Sequence, residues 1–130
     1  MVLAKLNIWE SGLRRQLKLV WLQDKIILVL FFVSLFLNLG FYLAIYFSIR
    51  PTEASLVLHY SVYFGIDLIG PWFQLYLTPL VGSFLGLINL ALALIFYQKE
   101  KIAAYLLAVT TLLLEIFLLI GGGLLILVNS

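Results

Sequence analysis

The stretch Ile26–Ile49, IILVLFFVSLFLNLGFYLAIYFSI, contains no charged residue and decides the fold class of this chain. At a rise of about 1.5 Å per residue, a helix of this length is roughly 36 Å long, enough to cross the hydrocarbon core of a bilayer with some tilt. Lys25 and Arg50 border the stretch, and Pro51 disfavours helical geometry at the residue before it. We therefore predict a first transmembrane helix over residues 26–49.

Two further apolar stretches follow along the chain. Residues 68–98 carry no charge, and the turn signal at Gly70 and Pro71 predicts that the second helix covers residues 73–97. A polar turn at residues 98–101 precedes the third predicted helix, residues 102–128, in which Glu115 is the only charged side chain. The fold class predicted from these spans is an all-α membrane protein that forms one domain over residues 1–130.

The composition favours this class and excludes others. Hydrophobic residues make up 65% of the chain and charged residues 11%, whereas about a quarter of the residues in a typical soluble domain are charged. The net charge of +2 leaves no basic surface large enough to bind nucleic acid, which is excluded as a partner. Because the chain has no cysteine, it forms neither disulfides nor thiolate metal sites.

Residues 1–25 have the spacing of an amphipathic helix. Apolar side chains recur at steps of three and four residues, namely Val2, Leu6, Trp9, Leu13, Leu17 and Val20. We predict that this helix lies in the membrane interface, with Trp9 among the headgroups. Four basic side chains are predicted to meet anionic headgroups: Lys5, Arg14, Arg15 and Lys18. The alternative is a soluble first helix that packs on a partner.

The distribution of basic residues predicts the orientation. Seven of the eight Lys and Arg side chains precede residue 26 or lie in the 98–101 turn, and only Arg50 lies in the loop of residues 50–72. By the positive-inside rule the N-terminus is cytoplasmic, whereas the loop and the C-terminus are external.

The external loop of residues 50–72 is rich in aromatic and β-branched residues. Its segment 57–64 predicts a short extended piece. His59, Asp67 and Trp72 are its candidate functional residues. His59 and Asp67 could join Glu53 in a metal or pH-sensing cluster. The spacing fits no metal motif, however, and Asp67 between two glycines is more typical of a turn. We predict no metal and no cofactor.

Five polar side chains are predicted to lie inside the membrane: Glu115, Asn38, Thr111, Ser34 and Asn89. A lone carboxyl group at mid-bilayer is either a proton or cation site or a neutral group that links helices; we favour the second because no other charged group accompanies it. Asn38 lies thirteen residues after Lys25 and Glu115 fourteen after Lys101, so both reach the same depth. We predict a hydrogen bond between them, with Gly86 nearby.

Small residues recur at helical spacing in the second and third predicted helices. The predicted packing positions are Gly82, Gly86, Ala93, Ala104 and Ala108. Such stripes let membrane helices approach closely, so they predict a tight bundle and surfaces suited to a partner helix.

Residues 40–90 resemble the first unit of the SdpI-type bacterial immunity and signal-sensing membrane proteins. The resemblance rests on residues that lie just outside a first membrane helix and lead into a second, namely Leu58-His59-Tyr60, Gly65, Asp67, Gly70, Trp72 and Pro79. Val57 stands where that family has a proline, and Ile66 precedes Asp67 where the family has a Pro-Asp pair. The resemblance implies a multi-pass protein of the bacterial plasma (inner) membrane with a sensing or protective role and no catalysis.

Together these features predict a small non-catalytic integral membrane protein that works as an accessory, sensing or immunity-type subunit. Its predicted partners are the lipid bilayer and either another membrane protein or copies of itself. The alternative is an oligomeric transporter or channel protomer in which Glu115 binds a proton or cation. A membrane enzyme acting on lipid would rest only on His59 and Asp67, and we predict no catalytic residue.

Overall fold

The computed structural model describes residues 1–130 and contains four helices and one β-hairpin. In chain order the elements are α1 (Val2–Gln23), α2 (Lys25–Ser48), β1 (Leu56–Ser61), β2 (Gly65–Gly70), α3 (Leu77–Phe96) and α4 (Lys101–Asn129). A 3-10 turn, Trp72–Tyr76, leads directly into α3. Three helices are long and apolar enough to span a membrane: α2, α3 together with its 3-10 turn, and α4. Each of them begins and ends within one residue of the bounds that the sequence predicts.

The loop between α2 and α3 contains more β structure than the single extended piece that the sequence predicts. Strands β1 and β2 pair in an antiparallel hairpin, with Leu56 opposite Gly70 and Ser61 opposite Gly65. Gly65 closes the turn at a φ of +71°, a conformation that residues with a Cβ rarely adopt. The predicted extended piece is therefore one half of a hairpin, because β2 supplies the backbone partners that a single strand would lack.

A backbone break at Asp24 separates α1 from α2. Asp24 has φ −140° and ψ 71°, outside the helical region, so α1 ends before it and α2 begins after it. Val20 is the only buried residue of α1, and it packs in a core cluster with Ile27, Ala104 and Ala108. Gln16 and Leu19 are half-buried, and the other residues of α1, including Trp9 and the predicted membrane-surface residues Lys5, Arg14, Arg15 and Lys18, are exposed.

The interior of the bundle has an apolar cluster at each end and a polar layer between them. At the end that holds Asp24 and the α3–α4 turn, the cluster contains Ile27, Phe31 and Ala93. At the hairpin end it contains Phe41, Ile45 and Leu75. Helix α4 packs on both α2 and α3, and α2 and α3 also contact each other.

Candidate intramembrane polar site

Asn38 of α2 and Glu115 of α4 meet at the centre of the polar layer. The Asn38 Nδ2 group donates a hydrogen bond to Glu115 Oε2 over 3.0 Å. Both residues are only 3% exposed. The contact predicted by counting residues from the two basic ends of the helices is confirmed.

Helix α3 completes this layer through Pro79 and Ser83. Asn38 Nδ2 lies 2.9 Å from the carbonyl oxygen of Pro79, and the Ser83 hydroxyl donates to Asn38 Oδ1 over 2.7 Å. The amide of Asn38 therefore bonds to α3 and α4 at once. Sequence analysis missed Ser83, although its position three residues before Gly86 is a signal that the two share a helix face.

Gly82, not Gly86, provides the close backbone approach at this level. A Cβ on Gly82 would lie 2.8 Å from Asn38 Nδ2 and 2.9 Å from Glu115 Oε1. We predict Gly86 near this level, and it does line one cavity with Asn38 and Glu115. It is, however, only eleven residues from Tyr97, whereas Glu115 is fourteen from Lys101. Equal depth on α3 falls three to four residues earlier, at Gly82 and Ser83. Gly86 instead lies beside Thr111.

The remaining predicted polar residues lie closer to the Asp24 end. Asn89 Nδ2 donates to Thr111 Oγ1 over 2.9 Å, which links α3 to α4 a second time. The Thr111 hydroxyl itself donates to the Leu107 carbonyl of its own helix. Ser34 makes no bond to another helix, because its hydroxyl bonds to the Leu30 carbonyl one turn away.

A cavity of about 280 Å³ lies between α2 and α3, with α4 behind it. Its polar lining comes from Ser34, Asn38, Ser83, Thr111 and Glu115, and its apolar lining includes Leu17, Leu28, Phe31, Phe32, Leu35, Leu87 and Leu90. Phe32, Leu35 and Leu87 are exposed on the outside of the bundle, so the cavity opens at the face that lipid would cover. Glu115 Oε1 forms no hydrogen bond within the chain.

The small-residue stripe is used inside the chain itself. Gly82, Ala93, Ala104 and Ala108 are buried in the bundle, and Gly86 is half-buried. Gly122 of α4 also belongs to this set, because a Cβ there would overlap the Phe41 ring. These positions are therefore not free for a partner helix.

A second polar cluster surrounds Asp24, which the sequence analysis did not single out. Both Tyr97 and Tyr105 donate their hydroxyl protons to the Asp24 carboxylate, and Lys101 Nζ lies 2.6 Å from Oδ2. The hydrogen bond from Lys101, followed by those from the tyrosines, lowers the pKa of Asp24 to about 2. Burial and the Asp24 carboxylate raise the pKa of Tyr97 to about 12. The cluster connects the α1–α2 break to the start of α4 and the end of α3.

The hairpin places two of the three predicted loop residues side by side. His59 Nδ1 lies 2.6 Å from Asp67 Oδ1, across the two strands. Asp67 is thus part of β2 and not of the turn, which is formed by the residues before Gly65. Trp72 lies apart in the 3-10 turn, where its ring meets Phe73 and Tyr76 edge-on. No group of three His, Asp or Glu side chains is close enough to hold a metal ion.

Comparison with known proteins leaves the resemblance to SdpI-type proteins a prediction. No protein-family profile, curated protein or solved structure matches this chain.

Proposed function

We propose that this chain is a small non-catalytic membrane protein that acts by binding another membrane component, as an accessory, sensing or immunity-type subunit. The observation that carries the proposal is the tip of the hairpin, where Val62, Tyr63 and Phe64 are 89%, 92% and 84% exposed. Three adjacent apolar side chains on a loop outside the bundle form a surface that a partner would cover. With the small-residue stripe buried inside the chain, this tip replaces it as the proposed contact surface.

The hairpin is attached firmly enough to present such a surface. Asn129, the last residue of α4, bonds through its side-chain amide to both the N–H and the C=O of Val57, each over 2.7 Å. Leu56 and Leu58 pack against the apolar cluster at the hairpin end. Because the base of the hairpin is fixed on two sides, the tip is held at a defined place relative to the bundle.

The membrane setting is part of the same proposal. Seven of eight basic residues fall on the Asp24 side, which supports a cytoplasmic N-terminus and an external hairpin. The resemblance of residues 40–90 to SdpI-type proteins supports the plasma membrane of a bacterium and a sensing or protective role. The partner is then another membrane protein or a second copy of this chain.

Site-directed crosslinking tests the proposal. A photoreactive residue at position 63 is expected to give one adduct of defined mass in native membranes, whereas the same residue at Lys5 gives none. Changing Phe64→Ser together with Val62→Ser should abolish that adduct, and Phe64→Leu should preserve it because the tip stays apolar. An adduct that persists in the double serine variant would contradict the proposal.

A second candidate function is the oligomeric transporter or channel protomer, and one observation favours it. Glu115 borders the cavity, and its Oε1 has no partner within the chain. A carboxyl group in that position can release its proton when a ligand binds in the cavity. In liposomes, Glu115→Gln should abolish proton-coupled flux at unchanged protein level. Equal flux in both proteins would exclude Glu115 as the coupling site.

A further inference from the structure

Glu115 borders the cavity between α2 and α3 without a charged partner. Only one of its two carboxyl oxygens is bonded, to Asn38. All eight Lys and Arg side chains lie in α1, at the helix ends or in the turns that join them, and none borders the cavity. Ionised carboxylates in low-dielectric surroundings are expected to be paired, so this group holds either a proton or a cation from outside the chain.

The rest of the lining suits the apolar body of such a cation. Leu28, Leu35 and Leu90 line the cavity together with the rings of Phe31 and Phe32. Apolar side chains exclude water from this space, which suits the apolar body of a ligand. The volume of about 280 Å³ is near the lower end of small-molecule sites, which favours a compact ligand.

We propose that the cavity binds a small lipophilic organic cation in exchange for the proton of Glu115. In this exchange the O–H bond of the carboxylic acid breaks, the proton passes to water, and the carboxylate forms an ion pair with the cation without any covalent bond. One proton is released for each cation bound. The inference names a ligand class for the second candidate function, but it concerns binding alone.

No other ionisable side chain shares the cavity. Helix α3 has none between Tyr76 and Tyr97, and α2 has only Tyr42 between Lys25 and Tyr46. Helix α1 contributes Leu17 to the lining, and the nearest basic residues, Arg15 and Lys18, do not border the cavity. On α4 the nearest ionisable residue is Tyr105, whose hydroxyl bonds to Asp24. A pH dependence of cation binding therefore belongs to Glu115.

The experiment uses the full chain in nanodiscs of zwitterionic lipid, titrated calorimetrically with benzyltrimethylammonium. As pH rises from 5 to 9, affinity is expected to increase by up to tenfold per unit while Glu115 is protonated, and then to level off. Titrations in buffers of different ionisation heat should count one released proton in the rising range. Glu115→Gln should weaken binding at least tenfold and remove its pH dependence, whereas Glu53→Gln on the loop should change neither.

Two further measurements distinguish binding of a cation in the cavity from non-specific apolar binding. Neopentylbenzene has the shape of benzyltrimethylammonium with carbon in place of N⁺. It should not displace the cation, and any binding of it should be the same in the wild-type and Glu115→Gln proteins. Gly86 also lines the cavity, and a Cβ there meets only Thr111, at 3.6 Å. Gly86→Val therefore narrows the cavity and should weaken cation binding in a protein whose circular dichroism is unchanged.

Absence of cation binding at every pH would overturn the proposal. Equal affinity for benzyltrimethylammonium and neopentylbenzene would also overturn it. So would wild-type affinity for the cation in the folded Gly86→Val protein. Cation flux into liposomes is measured separately: binding without flux would exclude the transporter and leave the binding site in place.

Discussion

Asn38 and Glu115 are 77 residues apart in the sequence, and the amide nitrogen of one lies 3.0 Å from a carboxyl oxygen of the other. The two ends of this bond are not equivalent. Asn38 also contacts Pro79 and Ser83 of α3, whereas Glu115 has no other hydrogen bond. Asn38 therefore bonds to both other helices of the polar layer, and Glu115 is one of its partners.

Replacing Asn38 should cost more stability than neutralising Glu115. Asn38→Leu leaves the buried Glu115 carboxyl without a hydrogen-bond partner, at about 1–3 kcal/mol, while the Ser83 hydroxyl keeps its bond to the Pro79 carbonyl. Glu115→Gln keeps an oxygen that accepts from Asn38, so its cost should be below about 1 kcal/mol. Reversible unfolding in mixed micelles with increasing dodecyl sulfate measures the loss of stability in both variants. Ser34→Ala is the control, because the Ser34 hydroxyl bonds only to the Leu30 carbonyl of its own helix. A larger loss for Glu115→Gln would contradict this ranking.

Gly82 and Gly86 form a matched pair one turn apart on α3. Gly82→Ala introduces a methyl group 2.8 Å from Asn38 Nδ2 and 2.9 Å from Glu115 Oε1, so the polar layer must shift. The corresponding atom of Gly86→Ala meets only Thr111, at an ordinary 3.6 Å. We expect a lower midpoint of unfolding for Gly82→Ala and little change for Gly86→Ala. Equal midpoints of unfolding would contradict a close approach of Gly82 to Asn38 and Glu115.

The two glycines also show what the sequence could and could not predict. Hydropathy and basic ends fix the bounds of the three apolar helices, and counting from those ends brings Asn38 and Glu115 to one level. The closest backbone approach is at Gly82, one turn before Gly86, because Gly86 is eleven residues from the end of α3 whereas Glu115 is fourteen from the start of α4. The partner of β1 follows it after a turn of three residues, and Gly65 was the local signal for that hairpin. The Asp24 cluster instead depends on contacts with Tyr97 and Tyr105, 73 and 81 residues away, which no local pattern specifies.

Acid should weaken the bundle through Asp24. Its pKa is lowered from 3.8 to about 2 in the folded protein, so the stability that it contributes is complete above about pH 4 and is lost as pH falls toward 2. The unfolding midpoint of the wild-type chain should therefore drop between pH 4 and 2. Asp24→Asn should be less stable at pH 6 and should lose less on acidification. Glu10→Gln, on the exposed face of α1, is the control, and an identical acid profile for Asp24→Asn would contradict the assignment.

Topology can be tested directly because the chain has no cysteine. The proposed orientation places the hairpin and the C-terminus outside and α1 inside. Cysteines introduced at Ser55 and Ser130 should react in intact cells with a reagent that does not cross membranes, whereas one at Ser11 should react only after lysis. Reaction of position 11 alone in intact cells would invert the orientation.

The side chain of Asn129 should control the motion of the hairpin relative to the bundle. It accepts a hydrogen bond from Val57 N and donates one to Val57 O, as a neighbouring β-strand would. Asn129→Ala removes both bonds, while Asn129→Asp retains an acceptor for the N–H but loses the donor. Exchange of the Val57 amide hydrogen should therefore be fastest in Asn129→Ala and intermediate in Asn129→Asp. Exchange at Asn89, bonded within α3, serves as the internal reference. If Val57 exchanges equally slowly in all three proteins, the apolar packing of Leu56 and Leu58 holds the hairpin without Asn129.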